Sequence, residues 1–277
     1  MRVIASIPDM HRARSELSGP VAMMATLGGM HEGHEALLDR ARDVGASVVA
    51  SLFLNPTQFD DPEDLERYPA DRSRDLEIFE RHGVDVLFAP TADAMYPPGS
   101  STEVDPGPIA RVLEGAHRPG HFRGVATVVT KILTILRPDL AVWGAKDAQQ
   151  NVVIRRISRD LGMSVEHVLV PTVRAPDGLA LSSRNRHLTD AERTQATSLH
   201  AGLQRALDAW RSGLKEAELL REAVRAEVAR RPLVSLEYVS VADPDTLEEL
   251  QAAHEGALLS LAARVGRTRL IDNVTLR

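Results

Sequence analysis

The chain has 277 residues, 43% of them apolar and 26% charged, with a formal net charge of −6 and no cysteine. This length suits one large domain or two modest ones with enough apolar material for a core. The composition excludes disulfides, thiolate metal ligands and thiol nucleophiles. No apolar run is long enough to span a membrane, no secretory leader is read at the N-terminus, and the acidic balance opposes a nucleic-acid surface. A cytoplasmic enzyme acting on small molecules is the expectation.

In chain order, residues 1–19 show little periodicity and read as an arm or short helix. Strand 21–27, helix 35–44 and strand 47–54 then predict a βαβ unit, the second strand nearly all apolar as in a sheet covered on both faces. Asn55-Pro56 stops that strand, and Asp60-Asp61-Pro62-Glu63-Asp64 has the acidic, proline-bearing look of a helix start. A helix over 71–82 and a strand over 84–88 follow, then a proline- and glycine-rich stretch over 91–108 that reads as a loop. The spacing predicts a helix over 126–136, a strand over 140–143, a helix over 148–161 and a strand over 164–170. Past Pro171 the texture changes: a short strand over 179–181, helices over 189–210 and 215–230, and strands over 235–242, 257–263 and 267–274. Thr189 with Glu192 forms a capping box for the first of those helices.

Five polar clusters fall after strands or before helices. The first is Leu27-Gly28-Gly29-Met30-His31-Glu32-Gly33-His34, between a strand and a helix. Helix starts attract phosphate, glycines let backbone approach a ligand, and imidazoles at i, i+3 share a face. Two histidines alone make a poor metal site, since zinc wants three or four protein ligands. The plain alternative is a pair of surface histidines. The second cluster, Asn55-Pro56-Thr57-Gln58-Phe59 with Tyr68-Pro69 downstream, offers neutral hydrogen-bonding side chains, or simply a turn. The third, Arg118-Pro119-Gly120-His121-Phe122-Arg123-Gly124-Val125, places positive charge before a helix, so that Arg118 and His121 contact either a ligand or a catalytic loop, or form only a tight turn. The fourth, Gly144-Ala145-Lys146-Asp147 with Gln149 and Gln150, repeats the strand–glycine–helix pattern, with a lysine for phosphate oxygens and Asp147 as helix cap, ribose acceptor or contact to a metal-bound water. The fifth, Ser182-Ser183-Arg184-Asn185-Arg186, has the donors of an anion clamp or of an ordinary polar loop.

Four of these clusters, the first, second, fourth and fifth, fall after strands or at helix starts, and in a doubly wound sheet such positions converge on one crevice. The fold expected is α/β: a Rossmann-like doubly wound parallel sheet over 1–172, binding nucleotide and small acid, and a smaller α+β C-terminal domain over 173–277 acting as a lid. Neither the GxxxxGK[ST] phosphate loop nor the GxGxxG fingerprint is present.

Taken together, residues 27–34, 55–59, 118–125, 144–150 and 177–185 resemble the pantothenate synthetase (pantoate–β-alanine ligase) family of the HxGH nucleotidyltransferase superfamily, over nearly the whole chain. Relative to that family's Pro-Thr-Met-Gly-Ala-Leu-His-x-Gly-His, this chain has Ala25 for Pro, Leu27 for Met and Gly29-Met30 for Ala-Leu, and further on His187 for Tyr. The resemblance implies ATP and Mg²⁺, attack of pantoate on the α-phosphorus, and capture of the pantoyl adenylate by β-alanine. It implies catalytic roles for His34, His31, Lys146 and Arg184, with His34 as proton donor or electrostatic stabiliser. ATP contacts are implied at Leu27 to His34, Gly144, Ala145, Lys146, Asp147, Val173, Leu181, Ser182, Ser183 and Arg184, with Asp147 near ribose or metal. Substrate contacts are implied at Asn55, Gln58, Tyr68, Gln150, Arg118 and His121. A homodimer is implied, with no nucleic acid or membrane partner. The rivals are another nucleotidyltransferase with a phosphorylated acceptor, an RNA-binding relative of tRNA synthetases, and an ATP-binding protein without chemistry. Neutral Asn and Gln donors oppose the first, acidity the second and the histidine pair the third.

Overall fold

Strand β2 (Val21–Thr26) lies inside a six-stranded parallel sheet of order β1-β4-β3-β2-β5-β6, with β1 Arg2–Ile4, β3 Ser47–Leu52, β4 Val86–Phe88, β5 Leu140–Gly144 and β6 Glu166–Val170. The computed structural model describes residues 1–59, 62–66, 68 and 71–277, with Pro62 and Asp64 by backbone alone. Asp60, Asp61 and Pro69, part of the expected acidic helix start and of the Tyr68-Pro69 pair, lie outside the described residues. Two units arise from the contacts: residues 1–111, 115–145 and 153–171 form the first, and 112–114, 146–152 and 172–277 the second.

In the first unit, Ser47 to Ser51 are all buried. Successive strand residues point to opposite faces, so the sheet is covered on both. The order reverses direction between β2, which leads to β3, and β5, which pairs on the other side of β2. That is the switch point where ligands bind open α/β sheets. The α/β expectation holds, with one strand more than the sequence reading placed: β1 falls in the stretch read as an arm. Three residues with only Ile4 buried carry no alternation to detect.

Helices connect the strands: α1 Ile7–Glu16, α2 Glu32–Val44, α3 Pro62–Glu66, α4 Arg72–Arg81, α5 Ala92–Met95, α6 Glu114–His117, α7 His121–Leu136 and α8 Ala148–Asp160. α1 is capped by the Ser6 side chain, which accepts from the Asp9 N–H. α2 begins earlier than periodicity suggests because His31 takes the cap position. α7 likewise starts at His121, not at 126: Gly120 adopts φ 92°, and the helix follows at once. The stretch over 91–108, read as a loop, contains α5, capped by the Thr91 side chain.

One close approach ties α7 to the segment after β3. A Cβ on Gly124 would lie 2.3 Å from the Thr57 carbonyl oxygen and 2.9 Å from the Gln58 Cα. Backbone atoms cannot swing away as a side chain can. Gly124→Ala should therefore displace the 55–59 turn and destabilise the fold by roughly 1–3 kcal/mol. Urea unfolding with an unchanged slope reads the loss.

In the second unit, α9 (Asp190–Arg211) and α10 (Ala217–Val228) pack on an antiparallel sheet, β7 (Val234–Ala242), β8 (Leu258–Val265) and β9 (Thr268–Thr275), in that order. Thr189 and Glu192 make the expected capping box. The core includes Leu199, Leu203, Leu220, Val224, Leu259 and Leu261. Among the described residues no helix is long and apolar enough to cross a membrane.

Candidate active site

The chain leaves β2 at Thr26 and turns at Gly28 and Gly29, with φ of 102° and 66°. Both lie in the left-handed region, where a Cβ is strained. Their amides are not left for a ligand: the Gly28 N–H donates to the Thr26 hydroxyl at 3.1 Å, and those of Gly29 and Met30 to the two carboxylate oxygens of Asp75 at 2.9 and 2.8 Å. Asp75 is 1% exposed, and these bonds satisfy its buried charge. The Met30 side chain is fully buried in the core beside Leu38 and Ile78.

The two histidines cap α2 reciprocally. Nδ1 of His31 accepts from the Gly33 N–H at 3.1 Å, and Nδ1 of His34 accepts from the His31 N–H at 3.3 Å. The rings lie 4.2 Å apart between centroids. In a neutral imidazole, an Nδ1 that accepts leaves the ring proton on Nε2. Glu32 is exposed; Leu27, Gly33, His31 and His34 are half-buried.

A second cluster lies in the same unit. Asn55 is fully buried; its Nδ2 donates to the Gln58 side-chain oxygen at 3.1 Å and to the Gly124 carbonyl at 3.4 Å. Its Oδ1 accepts from the Tyr96 hydroxyl at 2.8 Å and the Thr57 hydroxyl at 3.1 Å. Burial raises the Tyr96 pKa, only partly opposed by the hydrogen bond to Thr57, so the phenol stays a donor. With its Oε1 taken by Asn55, Gln58 has an amide group whose N–H donors suit a carboxylate or hydroxyl. Arg118 and His121 converge on the Gln58 carbonyl, at 3.3 and 2.8 Å. His121 Nδ1 faces a carbonyl and so donates, which leaves Nε2 to accept from Arg118 at 3.1 Å. Both residues thus fasten the turn after β3. Tyr68 stacks edge-on with Phe59, and its hydroxyl donates to the Gly28 carbonyl at 3.4 Å, joining the two clusters. Gly144 and Ala145 leave β5, which pairs with β2, and α2 packs against both strands.

The second unit holds the remaining candidates. Lys146 Nζ lies 3.4 Å from the half-exposed Asp147 carboxylate. Gln149 is engaged in structure: its side chain accepts from the Glu114 N–H at 2.9 Å and donates to the Val112 carbonyl at 2.8 Å. Gln150, next to it, is half-buried. Val173 accepts from the Leu181 N–H at 3.0 Å, holding the start and end of the 173–181 turn together. Ser182 caps the 3₁₀ turn Ser183–His187, which carries Arg184. His187, which departs from the family pattern, is exposed, so the change disturbs no core.

Sequence reasoning missed Asp75 and Tyr96. Asp75 had a signal: it shares a helix face with Ile78 and Phe79, three and four residues on and both buried, where a carboxylate is out of place without a partner. Tyr96 sits in an irregular stretch and had none. Among the described residues no group of three or more His, Asp or Glu side chains is arranged to hold a metal ion.

A parallel sheet of this order, with a histidine-capped helix and a glycine turn at the switch point, defines an α/β protein of Rossmann-like build. The chain belongs to the family described as pantoate-beta-alanine ligase, which matches residues 2–275, and is with it an enzyme that joins pantoate to β-alanine. It is 51% identical over 276 residues to a pantothenate synthetase of Roseiflexus castenholzii, covering 100% of this chain and 99% of that one. The crystal structure of pantothenate synthetase from Thermus thermophilus superposes with a TM-score of 0.94 at 41% identity, covering 100% and 99% of the two chains. The pantoate-beta-alanine ligase of Francisella tularensis, solved in complex with beta-gamma ATP and beta-alanine, superposes with a TM-score of 0.82 at 32% identity over 99% and 97%.

Proposed function

We propose that the enzyme makes pantothenate in two steps through an enzyme-bound pantoyl adenylate, releasing pyrophosphate and then AMP. The observation that carries this reading is the reciprocal histidine cap, which fixes both imidazoles at the start of α2 with Nδ1 accepting, so that each neutral ring carries its proton on Nε2. A carboxylate is already a nucleophile at neutral pH, so the first step needs positioning and charge stabilisation. One pantoate carboxylate oxygen bonds to the α-phosphorus of ATP as the bond from that phosphorus to the α,β-bridging oxygen breaks. His34 and His31 hold charge on the α-phosphate, while Lys146 and Arg184 hold the departing pyrophosphate. The free amine of β-alanine then bonds to the acyl carbon and gives up a proton to solvent, as the acyl C–O bond breaks and AMP leaves with the carboxylate oxygen that attacked.

ATP is read as bound by residues 27–34, by Gly144 to Asp147, by Val173 and by Leu181 to Arg184. Gln58, Asn55, Tyr68 and Gln150 receive the pantoate hydroxyl and carboxylate, Gln58 also touching β-alanine, with Arg118 and His121 acting through the turn they fasten. The domains are read as 1–172 and 173–277, the second acting as a lid. Magnesium takes one or two carboxylates along with substrate phosphates rather than a protein cage. Asp147 fits that habit and would hold it; the ion supplies neutralisation of the triphosphate charge. A homodimer in the cytoplasm completes the proposal.

The test is incubation with ATP, Mg²⁺, pantoate and β-alanine. Pantothenate should appear in equal amounts with AMP and pyrophosphate, and omission of β-alanine should leave pantoyl adenylate on the enzyme. Stoichiometric ADP would move the chemistry to an acyl phosphate.

A further inference from the structure

Strand β9 carries Asp272 and Asn273 side by side in an otherwise apolar run, Leu270-Ile271-Asp272-Asn273-Val274. Neither residue type favours a strand, and both are buried, Asp272 at 3% exposure and Asn273 at 8%. Burying such groups is unfavourable unless they are bonded, so packing alone does not account for the pair. Asp272 is held by Arg174, whose two terminal nitrogens donate to its two oxygens at 2.6 and 2.9 Å. The Asn273 N–H donates to the same carboxylate at 2.8 Å. Arg174 also donates to the Gly178 carbonyl at 3.2 Å, inside the turn that leads to Leu181–Arg184. The Asn273 side chain then reaches a different segment: its Nδ2 donates to the Lys146 carbonyl oxygen at 2.7 Å. One buried clamp therefore fixes both segments of this unit that carry candidate ATP contacts.

We propose that Asn273 is a positioning residue for Lys146: held on the Arg174–Asp272 clamp, it fixes the backbone from which the lysine reaches the nucleotide. The proposal rests on the reading of Lys146 as an ATP phosphate contact. A hydrogen bond to a main-chain carbonyl sets where the Lys146 Cα lies, and a small displacement there is amplified along the long side chain. Misplacement of this kind lowers the rate of the chemical step by roughly 10- to 100-fold.

The experiment is a double-mutant cycle on the full-length enzyme with Asn273→Asp and Lys146→Ala. It reads single-turnover formation of pantoyl adenylate, KM for ATP and pantoate, and melting temperature. Asn273→Asp keeps the side-chain shape and removes the donor. It should slow adenylate formation 10- to 100-fold with KM for pantoate unchanged, yet change the rate less than about twofold when Lys146 is already alanine. Equal losses in both backgrounds, or an unaltered rate in the single variant, overturn the proposal. Normal adenylate formation by Lys146→Ala overturns the reading of Lys146 itself, a separate result. Should Asn273→Asp fail to fold, Asn273→Ala runs the same cycle.

Discussion

His34→Ala should lower kcat by about 10²- to 10³-fold while changing the KM for ATP little, because the Nε2–H is read as meeting charge that develops in the transition state. Two effects compete in this variant. Removing the Nδ1 that accepts from the His31 N–H weakens the cap of α2, a loss of about 1 kcal/mol in stability. Removing a donor aimed at developing charge raises the barrier by about 3–4 kcal/mol. The barrier dominates, so the variant should be folded and slow, its melting temperature only a few degrees lower. His34→Asn separates the two further: a short amide can still accept at the helix cap but cannot place a donor where Nε2 lay. A His34→Ala enzyme with normal turnover would remove this residue from the chemistry.

Asp75→Ala is expected to damage both the fold and the catalysis, though Asp75 is 1% exposed and its charge faces the protein. Its two oxygens accept the Gly29 and Met30 amides. Truncation leaves two buried N–H groups without acceptors, each unfavourable by about 1–3 kcal/mol. A loss of about 2–5 kcal/mol is therefore predicted, a large share of the stability of an ordinary domain. The same bonds hold Gly29 and Met30 in the turn that delivers His31 to its cap position. Turnover should consequently fall even under conditions where the variant remains folded. Asp75→Asn offers one acceptor in place of two and sets an NH₂ against an amide N–H, so it should restore little. Urea unfolding with an unchanged slope, together with kcat measured well below the melting temperature, reads the two effects separately.

What the sequence made legible follows from where its signals are strong. The βαβ order, the buried β3 and the capping box at Thr189 rest on apolar periodicity and cap chemistry, which are local and survive folding. β1 was not legible, because a three-residue edge strand is created by its pairing with β4 and not by its own pattern. Two helix starts fell short: α2 and α7 both begin earlier than their apolar faces, since a histidine caps the first and a left-handed Gly120 the second, neither of them a Ser, Thr, Asp or Asn cap. The candidate site was legible as residue types but not as partnerships. The pairings of Gly29 with Asp75, Gln58 with His121, and Lys146 with Asn273 join residues 46, 63 and 127 positions apart, and no spacing rule reaches so far. The glycine turn shows the consequence most clearly. Read alone, it offers amides to phosphate; in the fold Asp75 accepts two of the turn's N–H groups.

The proposal that pantoate is activated as an acyl adenylate is tested most directly by the fate of its carboxylate oxygens. With pantoate carrying ¹⁸O in both carboxylate positions, ATP and β-alanine, one heavy oxygen should appear in AMP and one should remain in the amide carbonyl of pantothenate. AMP free of ¹⁸O, or label recovered in inorganic phosphate alongside ADP, would contradict it.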